Sequence, residues 1–196
     1  MTKIEKINSD LSKPRGRDEI RFALIQAANE LFGEKGPDAV SVRDVAKRAE
    51  VNHALLHRHF GSKEQLLRDV MAEHAANFRS RSALADDPAE SMSQMFQLLI
   101  EQPAFVRIVA HLLLSGHQAE EFVTKEGGLA LLTELTLAQS DFDDTEAKLS
   151  AAMTAALCMG WALFESFVLN GVGFDGEKDE ARQFVRRQIL AGLRRR

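Results

Sequence analysis

The sequence predicts an all-α chain: an N-terminal three-helix head followed by a larger helical domain, about nine helices in all. Three observations carry this. Apolar residues recur at three- and four-residue spacing through most of the 196 residues. Runs of β-branched residues bounded by turn signals are missing, and the chain has no tyrosine. Serine, aspartate, asparagine and proline stand where helices should start, and glycine where they should stop.

Residues 1–14 read as a disordered arm ending at Pro14. From Arg17 to Gly33, the spacing of Ile20, Ala23, Leu24, Ala27, Ala28 and Leu31 marks an amphipathic helix. Glu34 to Asp38 breaks it, with Gly36 able to act as a left-handed cap. Ser41 with Asp44 forms a variant capping box, opening a second helix that buries Val42, Val45, Ala46 and Ala49. Asn52 is the N-cap of a short third helix reaching Phe60, which Gly61 ends. Ser62-Lys63-Glu64-Gln65 reads as another box, opening a long fourth helix to about Arg81. The spacing of the second and third helices is that of a helix-turn-helix. Residues 15–62 are expected to form this head, and 63–196 the larger domain. There, helices are expected over Pro88–Glu101, Pro103–Ser115, Gln118–Gln139 with a kink at Gly127-Gly128, Asp144–Asn170 and Glu177–Leu193.

Composition narrows the function. No apolar run reaches the roughly 20 residues of a membrane span, and the N-terminus lacks the apolar core of a signal peptide. The single cysteine, Cys158, excludes an intrachain disulfide and suits a cytoplasmic setting. The net charge of −4 is uneven. Residues 1–81 carry 15 Lys+Arg against 12 Asp+Glu, residues 82–180 carry 4 against 17, and the last 16 residues carry six basic groups and no acidic one. A mildly basic head and an acidic remainder imply different partners.

The stretch VNHALLHRHFGSKEQLL (Val51–Leu67) places three histidines within seven residues. His53 and His57 lie four apart and share a helix face, whereas His59 falls on another, so the three do not chelate one ion without distortion. A metal-binding or enzymatic all-α protein built on these histidines is the alternative class, but no third ligand stands at helical spacing. No glycine-rich phosphate loop appears, and Cys158 sits in an apolar helix as an inert core thiol. No metal, cofactor or catalytic residue is expected.

Taken together, SVRDVAKRAEVNHALLHRHFGSKEQLL and the helix before it resemble the DNA-binding head of TetR-family transcriptional regulators. The resemblance covers about Arg17 to Leu67. It rests on Phe32-x-x-x-Gly36, Val45-Ala46, Val51 and His59-Phe60-x-Ser62-Lys63-Glu64-x-Leu66. Two positions depart from the pattern: Glu50 stands where glycine is common, and His57 where tyrosine is common. If residue 50 needs a positive φ, glutamate there costs on the order of 1 kcal/mol.

The resemblance implies a homodimer whose heads read a palindromic operator and are released by a small molecule; a DNA-binding regulator without such a trigger is a further alternative. By motif position, His53, Ala54, Leu55 and His57 become groove-facing candidates and Arg43 a reader of a base edge, guanine above all; Asn52, the N-cap, is counted with the DNA-binding residues. Ser41 and Lys63, at helix N-termini, suit phosphates, with Arg58 beside them. Arg17, with Lys13 and Arg15, suits the backbone or a minor groove. His59 is expected to close the head against the fourth helix. For the ligand pocket the candidates are His74, Phe78, Met95, Phe96, Leu99, Ile108, His111, Leu112, Leu157 and Trp161. Only four basic residues lie between 82 and 180, so an apolar, neutral or cationic effector is expected. For the dimer interface the candidates are Ala155, Gly160, Phe164, Phe167, Val168, Phe184 and Ile189.

Overall fold

The computed structural model describes residues 14, 16–85, 87–118, 121–122, 127–139 and 141–193. The expectations for residues 1–13 of the arm, and for Lys13 and Arg15, fall outside these residues. Among them there are nine α-helices and no strand.

Helix α1 (Arg17–Lys35) buries Leu24, Ala27, Ala28, Leu31 and Phe32 along one stripe and stops at Gly36. There φ is +81° and ψ 148°, an extended conformation with positive φ rather than the left-handed helical cap expected. A Cβ at Gly36 would also lie 2.9 Å from Nδ1 of His111, so backbone angle and close approach both call for glycine. Helix α2 (Val42–Arg48) starts at Ser41, whose hydroxyl accepts from the Asp44 amide at 3.2 Å while the Asp44 carboxylate accepts from the Ser41 amide at 3.0 Å. That closes the capping box. Helix α3 (His53–Phe60) is capped by Asn52, whose Oδ1 accepts from the Ala54 amide at 2.9 Å. Helix α4 (Lys63–Ser82) has only half the expected box. Ser62 accepts from the Gln65 amide, but the Gln65 side chain turns to Asp69 at 2.8 Å.

Helix α5 (Pro88–Glu101) has proline in its first turn and Asp87 as its cap. Helix α6 spans Ala104–Leu114. Helix α7 is Gly128–Gln139, shorter than the Gln118–Gln139 expected; the paired glycines Gly127 and Gly128 mark its start rather than a kink. Helix α8 (Asp144–Gly171) carries a complete box between Asp143 and Glu146, and α9 is Lys178–Leu193.

The chain divides into two compact units. The first holds the described residues up to Met71 together with Arg107–Gln118, so it is discontinuous in sequence. Leu24, Phe32, Val40, Val45, Leu56, Leu66, Val70, Ile108 and Leu112 are among its fully buried side chains. Arg48 ties α2 to α1 through Glu30 at 2.7 Å and Glu34 at 3.6 Å, and Arg21 reaches Asp69 at 2.7 Å while lying over the Phe60 ring. The second unit holds Ala72–Val106 and the described residues from Glu121 on, built around Phe78, Met92, Phe96, Leu132, Ala151, Cys158 and Ile189.

Helix α8 has two apolar faces. Ala147, Ala151, Cys158 and Glu165 point inward, while Leu149, Met153, Leu157, Phe164, Phe167 and Val168 are exposed, Phe167 by 77%. By length and composition it could cross a membrane. The core helix of a soluble protein passes the same test, and polar residues such as Thr154 and Glu165 keep every uninterrupted apolar run in it short. Glu165 is held in the core by Arg182, whose Nε and Nη2 donate to its two oxygens at 2.7 and 2.8 Å, and by the Trp161 indole at 3.0 Å. The Arg182 guanidinium holds the Glu165 carboxyl below the usual carboxylate range.

Glu50 has φ +56°, the only positive φ outside glycine among the described residues. The site therefore does need the left-handed region, and an L side chain is strained in it. Glu50→Gly is expected to stabilise the fold by up to about 1 kcal/mol, a rise of roughly 2–4 °C in a thermal melt. Glu50→Val should lower the midpoint, and a melt indifferent to both would contradict the strain.

Candidate nucleic-acid interface and cavity

Eight residues make α3, too few for a stable isolated helix. Its place is set by Leu56 and Phe60, four apart and buried against the rest of the head. Burying that stripe turns the opposite face outward: His53, Ala54, His57 and Arg58 are exposed, and Leu55 is half-buried. Arg43 is exposed in the first turn of α2, and Arg17 in the first turn of α1. His59 is half-buried beside Phe60, with ring centroids 6.3 Å apart.

Several of these polar groups have work inside the head. The Ser41 hydroxyl donates to the Asp44 carboxylate at 2.6 Å as well as accepting from its amide. Those hydrogen bonds hold the Asp44 carboxyl below its ordinary value. Asn52 spends its Oδ1 on the cap. His57 Nδ1 lies 3.0 Å from the Gly61 carbonyl oxygen. The Lys63 ammonium donates to the carbonyls of Pro37 and Val40, at 3.0 and 3.3 Å. Two of its three N–H groups are thus used to hold the turn before α2, which alters the phosphate role expected for it. The spacing rules did not reveal this, because the partners are backbone carbonyls more than 20 residues away. Among the described residues, no three histidine, cysteine or carboxylate side chains converge.

The second unit contains an apolar cavity with an empty volume of about 480 Å³, part of it open to solvent. Phe78, Met92, Met95, Phe96, Leu99, Phe105, Leu132 and Met159 line it, with Gly128, Leu129, Thr154, Ala155 and Cys158. Of the pocket residues expected from the sequence, Phe78, Met95, Phe96 and Leu99 meet here. Ile108, His111 and Leu112 belong to the first unit. Leu157 faces outward, 44% exposed, and Trp161 is engaged with Glu165. His74 is buried, its ring 5.3 Å from that of Phe105. Two residues expected at a dimer interface move: Ala155 lines the cavity, and Ile189 is buried in this chain's own core. Gly160, Phe164, Phe167, Val168 and Phe184 remain half-buried or exposed. The heptad-like spacing of Ala151, Ala155 and Cys158 was the available signal for the inner face, masked by small residues on every side of α8. Burial pushes the Cys158 thiol up to about 12, leaving it unreactive.

Burial lowers the His74 imidazole to about 4, from 6.5 when unfolded. Below 6.5 the unfolded chain takes up a proton that the folded chain refuses, so the stability present above that pH is lost as pH falls toward 4. The loss from this group should reach about 3 kcal/mol. His74→Phe should flatten the decline between pH 7 and 4; an unchanged slope would mean that His74 does not stay neutral.

A model of the bacterial regulatory proteins of the tetR family matches residues 24–70. The chain is 34% identical over 162 residues to the HTH-type transcriptional repressor Rv3405c of Mycobacterium tuberculosis, covering 83% of this chain and 82% of that protein. It is 35% identical over 80 residues to the HTH-type transcriptional regulator BetI of Rhizobium meliloti, 41% of this chain and 39% of that one. Among solved structures, the hemolysin II transcriptional regulator HlyIIR superposes with a TM-score of 0.61 at 18% identity, over 92% of this chain and 100% of that one. The fatty acid degradation regulator FadR of Bacillus halodurans superposes with a TM-score of 0.62 at 20% identity, over 88% and 98%. At these identities the structural likeness bears on the fold alone.

Proposed function

Since this chain belongs to the tetR family of bacterial regulatory proteins and is a DNA-binding transcriptional regulator, we propose that it acts as a homodimeric repressor. In this reading the dimer binds a palindromic operator and an apolar small molecule releases it. The observation that carries the DNA-binding site is the outward face of α3, where burial of Leu56 and Phe60 leaves His53, Ala54, His57 and Arg58 exposed. Such a face, led by the N-terminal residues of a capped helix, is what enters a major groove. Arg43 offers a bidentate donor for guanine, and Ala54 and Leu55 suit thymine methyl groups. Arg58 and Arg17 flank the groove set and suit phosphates, with the amide N–H groups of Asn52 and the third N–H of Lys63 beside them, whereas the Ser41 hydroxyl proton is spent on Asp44.

Repression is supported by the name of the relative of matching length, a transcriptional repressor. The effector reading is supported by the cavity, whose lining has one hydroxyl, that of Thr154, and no charged side chain. Such a lining favours a neutral apolar molecule, and its methionines adapt to irregular shapes. Helix α4 continues from the head at Leu66 to the cavity wall at Phe78, a path by which ligand and operator binding would oppose each other.

Dimerisation is supported by the exposed apolar face of α8 with Phe184 of α9, which is larger than scattered surface leucines would explain. A two-fold pairing of these helices covers it and brings two short recognition helices to successive half-sites. Phe167→Asp should convert a dimer to a monomer in sedimentation while leaving helix content unchanged; a wild-type monomer would contradict the pairing.

Selection from a random duplex pool with the purified protein should return a palindrome. Arg43→Ala should then lose preference for that sequence over random DNA by roughly 5- to 150-fold. Arg58→Ala should weaken binding to all duplexes alike and reduce the salt slope by about one. Equal losses on specific and random DNA for both variants would contradict the assignment.

A further inference from the structure

His57 is locked at both ends of a short loop of contacts. The Gly61 amide donates to the His57 carbonyl at 2.9 Å, and the His57 ring returns to the Gly61 carbonyl, with Nδ1 3.0 Å from the oxygen. A carbonyl oxygen accepts and cannot donate, so Nδ1 carries a proton. In a neutral imidazole the other nitrogen, Nε2, then has a lone pair and no hydrogen. While the ring is neutral, the exposed imidazole of His57 therefore offers one further polar atom, Nε2, and that atom only accepts.

This bears on what the residue can touch. Phosphate oxygens, guanine O6 and N7 and thymine O4 are all acceptors, and none matches a bare Nε2. In the major groove the hydrogen-bond donors are the exocyclic amines, N4 of cytosine and N6 of adenine. We propose that His57 is a base-reading residue selecting an amine-bearing base edge, cytosine N4 or adenine N6, through Nε2, and that it makes no phosphate contact. This rests on the operator-binding reading above. His53 shares the face but caps no carbonyl in the same way, since its place at the first position of α3 puts it at the opposite helix end.

Two measurements test it. In ¹⁵N-resolved histidine spectra of the full chain with the rings neutral, with His57 assigned by its loss in His57→Gln, the proton should sit on Nδ1. A proton on Nε2 overturns the proposal. Separately, the best duplex recovered from the random pool is rebuilt with each adenine in turn replaced by purine and each cytosine by 2-pyrimidinone, which removes the amine alone. One position per half-site should lose affinity by roughly 2- to 10-fold, and the arm in which it appears names the base. His57→Phe should lose on the preferred duplex the same roughly 2- to 10-fold that amine removal costs the wild type, and should then be indifferent to that amine. If every amine can be removed without a loss specific to His57, or if His57→Phe weakens specific and random binding alike, the residue does not read an amine. A pool that returns no preferred duplex sinks the operator reading and this assignment together, whereas a preferred duplex indifferent to amines sinks this assignment alone.

Discussion

The outward face of α3 depends on the burial of Leu56 and Phe60. A helix of eight residues gains too little from its own hydrogen bonds to persist in water, so α3 exists because these two side chains are removed from it. Fixing one face fixes the other. The residues that could meet a base edge are set in direction by two that never meet solvent.

Local hydrogen bonding then settles how those residues are held. Ser41 and Asp44 answer each other across the start of α2, Asn52 caps α3, and Gly61 receives the His57 ring. Lys63, at the start of α4, closes the turn between α1 and α2 through two backbone carbonyls. Each contact satisfies a helix-end or turn group that would otherwise need water. Together they hold the Ser41, Asn52, His57 and Lys63 side chains in place, which reduces the ordering cost of a bound duplex at these positions. The strained Glu50 runs against this pattern: the turn keeps its geometry although the residue in it disfavours that geometry.

Helix α8 shows a different balance. Its inner face builds the core and the cavity wall with alanine and cysteine, and its outer face carries phenylalanine, leucine and methionine that this chain leaves uncovered. Small residues inside leave room, and large ones outside await a surface. The buried Glu165 is compatible with this apolar helix because Arg182 and Trp161 satisfy both of its oxygens.

Helix type, order and most boundaries were legible in the sequence, because periodicity and caps are local and their signals lie within four residues. The Ser41 box and the Asn52 cap could be argued from neighbours alone, whereas the question of a positive φ at residue 50 came only from the resemblance, and the structure answered it. Tertiary structure decided what no local rule contains. It used Lys63 on carbonyls more than 20 residues away, placed Ile108, His111 and Leu112 in the first unit, and turned Ala155 toward the cavity and Leu157 away from it. On α8, apolar and small residues occupy every face, so the pattern carries no direction. Which face was buried followed only from the helices that packed against it.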